Sequence, residues 1–274
     1  SSHFGSSYFC LNIPYFVMVE DEYASSNIFL IRHAESTVNA AAGRLWQQGG
    51  SDPGRAYYEA EFFDAHLTEG GRERAKEISA ELLTCIRRDE SGHVTRLVLS
   101  STLHRALETA TLGVLPLLPP DAQTHWIASD LVREAMTCEI HTTQGADEAV
   151  ARTNPKPCNS RGPLEKARSC FPHVSFEDCD EADMLDPLET FAGLDQRVSE
   201  FAAWLRRWVE RERHQRGSVQ FDVVLVSHYV FLRRLLSRAE GRQRELADSR
   251  HCGLNNCEVR KIPLSNILNI AAEL

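Results

Sequence analysis

The chain has no excess of positive charge: 30 lysines and arginines stand against 39 aspartates and glutamates, a formal net charge of −9. That excludes the broad basic face that counterion release from a polyanion demands, so neither nucleic acid nor an anionic membrane is expected as a partner. There is no internal repeat and no low-complexity tract. The 8 cysteines include no CxxC pair, so they read as scattered intracellular thiols, not as a disulfide framework or a zinc module. One loop-like group, Cys158, Cys170, His173 and Cys179, has ligand chemistry but none of the spacings that zinc sites use. No apolar stretch is long enough to cross a bilayer. The nearest, SYFCLNIPYFVMVE, is interrupted by Asn12 and Pro14 and lacks a cationic leader, which points to a cytoplasmic protein. The first residue is Ser, so residues 1–26 read as an N-terminal extension, partly vector-derived, packed on the domain that follows.

What is present suffices for one sizeable core, since 42% of residues are hydrophobic and 25% charged. Residues 27–274 are expected to form one domain. Three apolar runs have strand length and β-branched content: residues 27–31, 96–101 and 221–227. Helical patterns follow each. From Leu67, the positions Ala75, Ile78, Leu82 and Ile86 share a face, with Thr68 placed to cap its start. A second helix is expected over 102–113, ended by Gly113 and Pro116, and a third from Leu188 to Arg216 with Gly217 behind it. A fourth, after His228, carries Phe231, Leu232, Leu235 and Leu236. Apolar strands alternating with helices predict a three-layer α/β/α sandwich around a mostly parallel sheet. Residues 137–187 interrupt this rhythm and read as an irregular insertion or lid over the site.

In such sheets ligands bind beyond the carboxyl ends of the strands. There the first strand delivers Arg32 and His33, the second leads through Ser100, Ser101 and Thr102 to Arg105, and the third delivers Ser227 and His228. Taken singly, each has an ordinary explanation as a loop pair, a solvated helix arginine or a core histidine. Four such residues in register with three strand ends point to a site. A neutral imidazole is a competent nucleophile, and guanidinium forks match the three equatorial oxygens of a phosphoryl group better than ammonium groups do. Glu134, after the apolar pair Leu131-Val132, is the favoured proton donor, and Glu139 is the other carboxyl within reach. His104, His125, His141 and His251 read as surface or structural.

These residues resemble the histidine phosphatase superfamily, the phosphoglycerate mutase-like family. RHAESTVN is similar to its Arg-His-Gly-Glu-Ser-x-x-Asn block, DAHLTEGGRERA to its Leu-Thr-x-x-Gly helix start, SSTLHRALETA to its Ser-Pro-Leu-x-Arg-Ala-x-x-Thr-Ala block, and VLVSHYVFLRRLL to its second-histidine block. The blocks keep the family's order across about residues 27–236. LNNCEVRKIPL resembles a closing edge strand. The resemblance implies that His33 is phosphorylated, that Arg32, Arg105 and His228 bind the phosphoryl group, that Glu134 donates the proton, and that Asn39 and Ser36 lie near phosphate or substrate. It also implies a reaction without metal or other cofactor, on a phosphorylated small molecule or phosphoprotein. Ala34, Thr102 and Tyr229 depart from the pattern, standing for a glycine, a proline and a small residue. A phosphomonoester phosphatase is the first expectation. A phosphoglycerate mutase is the second, disfavoured because 137–187 shows no basic cluster suited to a second carboxylate or phosphate. A non-catalytic phosphate-recognising module is the third, and the presence of every motif residue counts against it.

Overall fold

The computed structural model describes residues 23–50, 52–86, 94–135, 156–181, 189–217, 220–241 and 253–270. Five strands form one sheet: β1 (Asn27–Arg32), β2 (Val94–Ser101), β3 (Thr124–Ser129), β4 (Gln220–Ser227) and β5 (Val259–Pro263). Their order is β3-β2-β4-β1-β5, with every pairing parallel except that of β5 with β1. Among the described residues the α-helices are α1 (Thr37–Gln47), α2 (Glu69–Cys85), α3 (His104–Gly113), α4 (Leu164–Cys170), α5 (Phe191–Arg216), α6 (Tyr229–Ala239) and α7 (Leu264–Ile270).

The strands are apolar on both sides because both faces are covered. Ile28, Leu30, Leu97, Leu99, Val223 and Leu225 pack against α5, α6 and α7 through Leu194, Val198, Phe201, Phe231, Leu235 and Ile267. The alternate residues Phe29, Ile31, Val98, Val224 and Val226 pack against α2 and α3 through Ala75, Ile78, Leu82, Ala106 and Ala110. This is the predicted α/β/α sandwich. Thr68 caps α2 by accepting the Gly71 N–H at 2.9 Å, and Thr190 caps α5 through the Gly193 N–H at 3.0 Å. Gly217 ends α5 in the left-handed conformation, φ 67°.

Several elements escaped the sequence pattern. β3 is an edge strand whose second and fourth residues are half-exposed, so it presents no continuous apolar run. α1 buries small residues, Ala41 and Ala42 beside Val38, in place of a large apolar stripe. The insertion is more ordered than its composition suggests. Within 156–181 it forms α4, and Ser175 bonds along the free edge of β3, accepting from the Ala128 N–H at 2.8 Å and donating to the Trp126 carbonyl at 2.9 Å. The remainder of 137–187, Glu139, His141, His251 and residues 1–22 lie outside the described residues.

Candidate active site

Sheet order decides what meets at the carboxyl edge. β1 lies beside β4, with Arg32 opposite Ser227, and β2 flanks β4 on its other side. The His33 N–H continues the ladder to the Ser227 carbonyl at 2.9 Å, which fixes where both histidines leave the sheet. Their rings lie 5.0 Å apart. Arg105, on the first turn of α3, reaches back so that its Nε–H donates to His33 Nε2 at 3.2 Å. Arg32, His33, Asn39, Arg105 and Glu134 line one hollow of about 120 Å³ together with Tyr57, Lys156, Asn159 and Tyr229.

Hydrogen bonding selects the His33 tautomer. Nδ1 lies 2.7 Å from the Ala34 carbonyl, an acceptor only, so Nδ1 carries the proton and Nε2 presents its lone pair. Burial, then the cations Arg105 and Arg32, hold His33 well below the ordinary histidine range. The ring is therefore neutral at physiological pH, the form a nucleophile requires. His228 is likewise held low by burial and by Arg105. Burial also lowers the Arg32 guanidinium, and Glu134 acts in the opposite direction.

Both His228 nitrogens and Arg32 Nε are buried with no hydrogen-bond partner among the described residues. Leaving such groups unpaired costs about 1–3 kcal/mol each; Arg32 Nε, a donor only, marks where an acceptor would be received, and neutral His228 has one N–H to offer. Arg32 Nη1 is anchored on the Leu254 carbonyl at 3.1 Å, and its guanidinium lies 5.0 Å over the Tyr229 ring. Glu134 Oε1 accepts the Ala135 N–H at 2.9 Å and the Val230 N–H at 3.2 Å, placing the carboxyl group at the start of α6. Its Oε2 is engaged only at 3.4 Å and is the freer oxygen.

The predicted residues do not all occupy the hollow. Ser36 is fully buried behind the wall, where its hydroxyl donates to Asn39 Oδ1 at 2.8 Å; it positions Asn39 and does not itself reach the cavity. His228 is also fully buried, beside His33 and off the lining surface. Ala34 is tolerated because its φ is not positive and its N–H reaches Thr109 Oγ1 at 3.0 Å. Thr102 donates to Asp130 at 2.6 Å. Tyr229 lines the hollow beside Arg32.

Sequence reasoning missed Tyr57, Lys156 and Asn159. Asn159 Oδ1 and the Cys158 carbonyl hold the two terminal nitrogens of Arg105 at 2.9 and 2.5 Å, and Asn159 Nδ2 donates to the Ala135 carbonyl at 3.2 Å. Residues 158–159 therefore clasp the Arg105 guanidinium. No motif marks these residues, because NPKPCNS has neither helical nor strand period. Lys156 brings one cation from 137–187 to the lining, where the sequence shows no basic cluster. In contrast, Cys158, Cys170, His173 and Cys179 do not gather: Cys158 faces the Tyr57 carbonyl, and Cys179 the Ala128 carbonyl.

No protein-family profile matches the chain, and neither does any curated protein sequence. Solved structures do match. The ecdysone phosphate phosphatase from Bombix mori, in complex with tungstate, superposes with a TM-score of 0.52 at 14% identity, over 86% of this chain and 88% of that one. The alpha-ribazole phosphatase from Shigella flexneri gives 0.45 at 18% identity, over 86% and 89%. A phosphoserine phosphatase mutant from Entamoeba histolytica, in complex with phosphoserine, gives 0.43 at 14% identity, over 86% and 89%. The likeness is one of architecture, and on it the chain has the phosphoglycerate mutase-like α/β fold.

Proposed function

We propose that this protein is a phosphomonoesterase working through a phosphohistidine. The observation that carries the reading is the neutral His33, whose Nε2 lone pair faces the Arg105 guanidinium inside a hollow shared with Arg32 and Glu134. His33 Nε2 attacks phosphorus, the ester P–O bond breaks, and Glu134 passes a proton to the departing oxygen. Arg105 and Arg32 receive the charge on the equatorial oxygens, the role a divalent metal plays elsewhere, while His228 backs the His33 ring from behind the lining. Water, giving its proton to the Glu134 carboxylate, then attacks the phosphohistidine. The P–N bond breaks, and inorganic phosphate leaves. Brief exposure to a radiolabelled phosphomonoester followed by acid-free quench and peptide mapping is expected to place the label on His33. Label on another residue would overturn the mechanism, and turnover that survives His33→Ala would overturn the assignment.

Lys156 favours keeping a second reading. It lines the hollow with its ammonium 5.9 and 5.8 Å from the Tyr57 and Tyr58 rings, suited to the carboxylate of a phosphoglycerate. On that reading the phosphoryl group returns to the substrate's other oxygen, and interconversion of the two phosphoglycerates exceeds release of inorganic phosphate.

A further inference from the structure

Outside the hollow, three potential metal ligands meet on the outer side of α3. His104 and Glu108 stand one helical turn apart, four residues, with His104 Nε2 3.9 Å from Glu108 Oε2. His66, from the turn before α2, lays its ring 3.8 Å from that of His104. One donor atom from each of the three lies within 4.8 Å of the other two. Glu108 is already oriented: Arg72 Nε donates to Oε1 at 2.6 Å and the Leu67 N–H to Oε2 at 3.1 Å. Such outer contacts fix a carboxylate ligand without using all its lone pairs. A cleft of about 90 Å³ opens beside the group, lined by Phe63, Asp64, Thr102 and Lys166 as well as both histidines.

We propose that His66, His104 and Glu108 form a site for a divalent transition metal, zinc in the first instance, with the fourth position open to the cleft. Two imidazoles and one carboxylate suit zinc, cobalt or nickel and are poorly matched to magnesium or calcium. Tetrahedral zinc separates its donors by about 3.3 Å, so the group must contract by up to about 1.5 Å at its widest. His66 is exposed and can make that move through side-chain rotation. The site lies apart from the phosphoryl chemistry. Its structural effect would be to tie the start of α3, one residue from Arg105, to the turn that leads into α2.

Cobalt titration of the metal-free full chain, followed by visible d–d absorption and by competition with zinc, tests this without any substrate. It therefore stands or falls independently of the phosphatase reading. One equivalent of cobalt is expected to bind with a tetrahedral spectrum and to be displaced by zinc. His66→Ala and Glu108→Gln should each weaken binding by about tenfold or more, and His173→Ala should leave it unchanged. His66 is exposed, so His66→Ala decides the matter if Glu108→Gln disturbs the Arg72 contact. Absence of cobalt binding, or binding unchanged in His66→Ala, would overturn the site.

Discussion

At the scale of single residues, the buried imidazoles make a pH signature. His33 and His228 are held well below the ordinary histidine range, chiefly by burial and then by Arg105. An unfolded chain binds protons at these positions near pH 6.5 that the folded chain refuses, so stability is full above that range and falls as pH drops below it. Each contributes up to about 1.4 kcal/mol per pH unit. Urea denaturation between about pH 7 and pH 5.5 should show a shallower loss in His228→Asn than in wild type. Equal slopes would show that His228 is not the refusing group. Bound phosphate, supplying negative charge, should reduce the slope in wild type. Arg105 offers a second residue-scale expectation. Its three nitrogens are placed by His33, the Cys158 carbonyl and Asn159, a planar pattern that an ammonium cannot reproduce. Arg105→Lys should lower kcat by roughly a hundredfold with the fold intact. For Lys156→Ala, the expected result is a raised KM for phosphate esters bearing a second acidic group and an unchanged KM for a simple aryl phosphate.

At the scale of elements, the site depends on close approaches that only glycine permits. A methyl on Gly71, in the first turn of α2, would strike the Glu35 carbonyl of the loop that follows His33. Gly71→Ala should therefore destabilise by about 1–3 kcal/mol, read as a lowered Tm, and reduce turnover through the displaced loop. α5 acts on Glu134 from a distance. Arg197 is buried, pairs with Glu189 at 2.7 Å, and donates to the Leu131 and Arg133 carbonyls at 2.9 Å each, so it positions the segment that carries Glu134. Removing one member of a buried pair costs about 3–5 kcal/mol, so Arg197→Met should unfold at markedly lower denaturant. The helices and strands with large apolar stripes, α2, α5, β1, β2 and β4, are legible in sequence because burial imposes a period. β3, α1 and the turn at 157–159 are not, since half-exposed edges, small-residue faces and short irregular turns impose none.

At the scale of the whole molecule, the positive hollow sits in a chain of net charge −9. A chelator should leave kcat unchanged, because the cations of the proposed reaction are guanidinium groups. Loss of turnover in chelator, restored by one metal, would contradict this. The sequence by itself determined the α/β/α architecture, the four residues at the strand ends and their order in the chain. Strand periodicity and side-chain chemistry are local properties, written residue by residue. Tertiary structure alone decided which of those residues reach the cavity, that Ser36 serves Asn39 from behind it, that Asn159 and the Cys158 carbonyl hold Arg105, and that Lys156 joins the lining. It also brought His66 to His104. Contacts between residues tens of positions apart depend on sheet order and loop path, and no local spacing encodes either.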